Sequence, residues 1–139
     1  MAKVSRKNID QELGNQGVAE QELPSEEVRD ALAETATGLL NASIGAPGIP
    51  QEKIREQVIA HVVFAYERRP DPRDVHASMM PKLVVETFKQ KGAAKPSQAV
   101  VDALAKVAVG FLRESENPLP AAAKLIAVRS VVDFYLSGT

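Results

Sequence analysis

No cysteine and no tryptophan occur in the 139 residues, and aromatic residues make up only 4%. Without cysteine there is no disulfide framework, no thiolate nucleophile and no thiolate metal ligand. Only two histidines are present, His61 and His76. A zinc site usually draws on several His or Cys ligands, so none is expected, although His76 lies near Asp71 and Asp74. The net charge is −1, which gives no global field toward nucleic acid or an anionic membrane. The longest apolar run, Val58 to Tyr66, is interrupted by His61 and falls far short of the roughly 20 residues that a membrane span needs. The basic N-terminus has no apolar h-region, so no secretory signal is expected. The chain therefore reads as a cytoplasmic protein, of bacterial or phage type.

Phosphate-binding glycine loops, dinucleotide fingerprints and nucleophile elbows are also missing. The turns Ile44-Gly-Ala-Pro47-Gly48 and Glu116-Asn-Pro118 do not offer the run of oxygen ligands that calcium requires. We expect no enzyme, no catalytic residue, no metal and no cofactor.

What is there is a duplication. Hydrophobic residues make up 45% and charged residues 25%, an ordinary globular balance. Pro24-Ser25-Glu-Glu-Val28-Arg-Asp30-Ala-Leu32-Ala33 matches Pro96-Ser97-Gln-Ala-Val100-Val-Asp102-Ala-Leu104-Ala105, and the match continues through Gly38 and Gly110 to Ser43 and Ser115 at a constant offset of 72. After a proline-containing turn each copy ends alike, in Val62-Val63-Phe-Ala-Tyr66 and Val131-Val132-Asp-Phe-Tyr135, with the offset reduced to 69. The repeated unit is helix, turn, helix. Ser25 and Ser97 are expected to cap the lead helices. Apolar residues recur in those helices at three- and four-residue spacing, which predicts one buried face on each. The second helices, Ile54 to Tyr66 and Leu125 to Leu136, are apolar on nearly all sides and are expected at the centre of the fold. Glycine at 38 and 110 is read either as a site of close helix contact or as a frayed last turn.

The predicted fold is all-α: one domain of five to six helices, built from the duplicated hairpin in pseudo-two-fold arrangement. Residues 1–23 form a polar arm or short helix, and 24–139 the helical domain, with repeat one at 24–67, a connecting helical segment at 68–95 and repeat two at 96–137. Asp71 is expected to cap a helix with Pro72 at its first position, and Pro81 to kink or restart it. The expected core is Leu32, Leu39, Ile59, Val62, Val63, Tyr66, Leu104, Phe111, Val128, Val131, Val132 and Tyr135.

His61 reads more readily as a packed histidine than as a proton-transfer group. The connecting segment carries Arg68, Arg69, Arg73, Lys82, Lys89, Lys91 and Lys95. With Lys3, Arg6 and Lys7 these could face DNA phosphates, or they form a solvated, ion-paired face. Met79 and Met80 add an adaptable apolar step, and the stripe from Leu83 to Phe88 is either a partner surface or core. The candidate partner-binding set is Arg68, Arg69, Arg73, Met79, Met80, Lys82, Lys89 and Lys91. The expected function is a non-enzymatic protein–protein interaction module, an adaptor, inhibitor, chaperone or assembly factor that binds protein partners including itself. The alternative is a small DNA-binding regulator using the 68–95 segment and the N-terminal arm. No small-molecule substrate and no membrane are expected as partners.

Overall fold

The computed structural model describes residues 3–43, 50–68, 79–112 and 121–139, the first two of the last range by backbone alone. Arg69, Arg73, His76 and the Asp71-Pro72 start lie outside them. Six α-helices are described: α1 (Arg6–Asn15), α2 (Glu26–Ser43), α3 (Gln51–Glu67), α4 (Met80–Gln90), α5 (Gln98–Leu112) and α6 (Ala121–Ser137). A single 3₁₀ turn, Glu20–Glu22, precedes α2, and no strand occurs among the described residues. The helices form one compact all-α bundle.

The helix starts follow the local chemistry. The Val28 and Val100 amides donate to the hydroxyls of Ser25 at 3.3 Å and Ser97 at 3.4 Å, satisfying first-turn amides that no carbonyl reaches. Ser5 caps α1 in the same way and in a reciprocal box with Asn8. Pro81 opens α4, where its missing N–H removes no helical bond. The ends of α1 and α4 are built alike. Glycine turns the chain at φ 91° in Gly17 and φ 67° in Gly92, and the next amide returns to the helix, Val18 to the Leu13 carbonyl and Ala93 to that of Phe88, both at 3.0 Å.

Helices α2 and α5 touch each other, and each also packs against both α3 and α6. Helix α1 lies on α2 and α3, and α4 lies on α5 and α6. The lead helices therefore occupy the middle, which corrects the expectation that the second helices, apolar on nearly all sides, would. In α2 burial spreads beyond one stripe to Ala31, Ala33, Thr37 and Gly38, and in α5 to Ala103, Ala105 and Gly110. Small side chains let neighbours approach from several directions, so closeness of packing rather than bulk places a helix at the centre.

At Gly38 an added Cβ would meet the carbonyl oxygen of Phe134 in α6, and at Gly110 that of Ala65 in α3, both well inside the 3.0 Å that real Cβ atoms keep. Both glycines are thus close-contact sites, not frayed turns.

Around these contacts lies one aliphatic core, with Leu32, Leu40, Val62, Val63, Leu104, Val128, Val131 and Val132 all at 0% exposure. Each such side chain contributes about 1.5–3 kcal/mol relative to leaving it in water. Ile59 is buried as expected, whereas Leu39, Tyr66, Phe111 and Tyr135 are only partly buried. The aromatic three are held near the surface by polar or ring partners described below. Buried threonines return their hydroxyls to the carbonyl four residues back, Thr35 to Ala31, Thr37 to Ala33 and Thr87 to Leu83, each at 2.8 Å.

The N-terminal segment takes the helical alternative. Ile9 and Leu13 are 0% exposed, and the Val4 amide donates to Thr37 Oγ1 at 2.9 Å. Arg6 reaches both carboxylate oxygens of Asp30, at 2.7 and 2.9 Å, and Glu26 at 2.6 Å. Arg29 donates to Asp10 at 2.9 Å, while its buried Nε has no hydrogen-bond partner. Arg55 closes the same seam by donating to the Lys3 carbonyl at 2.7 Å.

Helix propensity alone favours alanine over glycine by about 1 kcal/mol, and packing reverses that sign at two positions. Gly38→Ala and Gly110→Ala are each expected to lower unfolding free energy by about 1–3 kcal/mol or more through forced backbone separation. Gly14→Ala, where nothing lies within 4 Å of the added atom, is expected to be neutral or stabilising. Urea titrations of the three variants check the contrast.

Candidate interaction surface

The described members of the expected partner-binding set sit in unlike surroundings. Lys82 and Lys89 are exposed on α4, but Glu86 stands between them at helical spacing, so this face alternates in charge as an ordinary solvated surface does. Lys91 is ion-paired with Asp133 of α6. Met79 is 51% exposed, whereas Met80 is 1% exposed and belongs to the core. The spacing of Met80, Val84 and Phe88 at four residues turns all three inward. The stripe from Leu83 to Phe88 is accordingly core: Val84 and Phe88 are buried, and Leu83 and Val85 pack beside them.

Arg68 belongs to a different arrangement. It ends α3, its guanidinium lies 4.8 Å from the centroid of the Phe64 ring, and its Nη1 donates to the Gly110 carbonyl at 3.2 Å. One turn before Phe64, the His61 ring stacks on Phe111 of α5, with centroids 4.7 Å apart and planes 10° from parallel. His61, Phe64 and Arg68 stand at i, i+3 and i+7, which puts them on one side of α3. Phe64 is 48% exposed. Two phenyl rings, an imidazole and a guanidinium thus meet where α3 crosses α5, in a chain with four phenylalanines in all. Aromatic residues and arginine are the types that dominate protein interface energetics. The sequence reading assigned Phe64 to a buried apolar run; the i, i+3, i+7 spacing was the available signal.

The two tyrosines sit at helix crossings. Lys106 of α5 lies 5.0 Å from the centroid of the Tyr66 ring in α3. Tyr135 of α6 hydrogen-bonds with Glu34 of α2, and its ring meets Phe88 edge-on at 5.9 Å. Burial raises both phenols above the ordinary tyrosine value, with Glu67 adding to this at Tyr66 and Glu34 at Tyr135. Burial also raises the Glu34 carboxyl, and Asp30 adds repulsion, while the Tyr135 hydrogen bond and Lys3 oppose the shift. Asp30 moves the other way, because the hydrogen-bonded Arg6 guanidinium favours its ionised form. No cluster of three His, Cys, Asp or Glu residues suited to a metal occurs among the described residues. No described helix is long and apolar enough to cross a membrane.

No protein-family model matches the chain, and no match was found among curated proteins or among solved structures.

The opposite shifts at Glu34 and Asp30 give opposite pH dependences. The fold favours protonated Glu34, so that residue's contribution to stability improves as pH falls through its raised folded value. Glu34→Gln keeps an acceptor for Tyr135 and is expected to be at least as stable as the parent at pH 7, with any advantage shrinking in acid. Ionised Asp30 stabilises above its ordinary value of 3.8, and this is lost as pH falls through its lowered folded value. Asp30→Asn is therefore expected to be less stable at pH 7, with the deficit fading in strong acid. Thermal unfolding across pH measures both.

Proposed function

We propose that the chain is a non-enzymatic protein–protein interaction module, serving as an adaptor, inhibitor, chaperone or assembly factor, and that it self-associates. The observation that carries this reading is Phe64, a phenyl ring 48% exposed beneath the Arg68 guanidinium and one turn from the His61–Phe111 stack. Covering such a ring removes apolar area from water, and the neighbouring arginine supplies directional donors at the same spot. The nucleic-acid alternative draws less support. Arg6 is engaged by Asp30 and Glu26, Lys91 by Asp133, and Arg68 by Phe64 and Gly110, so phosphates would compete with partners already in place.

The same proposal includes the internal duplication, and we read its unit as three helices: α1 to α3, then α4 to α6. Four pairs of observations support this. Gly38 lies on Phe134 and Gly110 on Ala65, positions related by the offsets of 72 and 69. Glu34 meets Tyr135 and Lys106 meets Tyr66, related by those same offsets. Helix α2 packs on α6 as α5 packs on α3. The Gly17 and Gly92 caps return to Leu13 and Phe88 by equivalent bonds. On this reading the former arm and the former connecting segment are copies of one another, and the two hairpins exchange their second helices about a pseudo-two-fold.

The interaction reading is tested by immobilising the full chain and its Phe64→Ala variant and comparing the proteins each retains, by mass spectrometry, from the source cell. At least one protein, the chain itself included, is expected to be retained in a Phe64-dependent way. If circular dichroism finds the variant folded and its retained set matches that of the parent, the reading fails.

A further inference from the structure

The closest contacts of the bundle join its first three helices to its last three. The two most extensive helix pairings, α2 with α6 and α3 with α5, both cross between these halves, and α2 also touches α5. The backbone-on-backbone contacts of Gly38 with Phe134 and of Gly110 with Ala65 cross in the same way, and near the C-terminus Gly138 lies against the Glu34 carbonyl. The Glu34–Tyr135 hydrogen bond, the His61–Phe111 stack, the Lys106–Tyr66 contact and the Arg68 bond to the Gly110 carbonyl all link one half to the other.

Each half on its own is poorly provided. Helices α1, α2 and α3 touch pairwise, as do α4, α5 and α6, but a unit of about 60–70 residues is marginal even with a complete core. On parting, each half would lose its largest helix contact, and no cysteine is available to staple it. Residues 1–68 hold seven Lys and Arg against eleven Asp and Glu, while residues 79–139 hold eight against five, so separated halves attract each other.

We propose that the α2–α3 face of the first half is a binding surface whose partner is the α5–α6 face of the second, and that the two halves hold each other without the peptide connection between them, neither keeping its fold alone. The covalent link raises the effective concentration of one half around the other, and the recognition resides in the crossing contacts. This inference goes beyond the interaction-module reading: it needs no outside partner and does not rest on Phe64.

The full chain carrying a specific protease site inserted after Asp74 tests this, with the site moved to follow Ala77 if circular dichroism finds the first insertion unfolded. After cutting, the two halves are expected to sediment together as equal partners at roughly 10 μM and to keep the helix signal of the uncut chain. Separated in urea and returned singly to buffer, each half is expected to lose most of that signal, and mixing equal amounts is expected to restore it. In the cut protein Gly38→Ala is expected to weaken reassociation about tenfold or more, because its added atom strikes the other half, whereas Gly14→Ala leaves reassociation unchanged. The proposal is overturned if the cut halves drift apart at that concentration, if either half alone keeps its helices, or if mixing the halves restores no helix.

Discussion

Four helices cross in this bundle with backbone directly on backbone. Where α2 meets α6 and where α5 meets α3, glycine leaves no Cβ, and the carbonyls of Phe134 and Ala65 occupy the vacated space. Close approach of this kind brings many atoms into dispersion contact at once, and it fixes the crossing points without reference to side-chain rotamers. The rest of the packing follows from those two points. The tyrosines at the crossings reach outward to Glu34 and Lys106, and the outer helices α1 and α4 fill the grooves that remain.

This geometry explains which parts of the fold were legible in the sequence. Capping serines and Pro81 act within a few residues, so the helix starts near Ser25, Ser97 and Pro81 were readable from local chemistry. The 0% exposed aliphatic residues, Leu32, Val62, Leu104 and Val131 among them, followed from periodicity. Which helices lie in the middle was misjudged, because apolar residues on nearly all sides of the Ile54 to Tyr66 and Leu125 to Leu136 segments were read as a sign of central position. The deciding property is how closely a neighbour can approach, and Gly38 and Gly110 expressed it without settling it.

The candidate surface was less legible for a related reason. Charge density drew the reading toward the lysines near α4, but charge is cheap at a surface and is often met by a neighbour, as Lys91 is by Asp133. Phe64 looked like core because the residues around it are core. Only the turn of α3 relative to α5 decides that Val62 and Val63 point inward and Phe64 does not. That turn is set by the Gly110 contact, more than 40 residues further along the chain. For Arg6 the ion-paired alternative holds, but its acidic partners, Asp30 and Glu26, lie on another helix and could not be named from local spacing.

Helices α1 and α4 are both attached by buried apolar side chains, but α1 carries more ionic bonds as well. Helix α1 buries Ile9 and Leu13 and adds the Arg6, Arg29 and Arg55 bonds. Helix α4 buries Met80, Val84 and Phe88 with a single described ion pair at Lys91. Ionic attachment weakens in concentrated salt, while apolar attachment weakens on cooling. Cooling therefore acts on both attachments, whereas brine has more to loosen at the first helix than at the fourth.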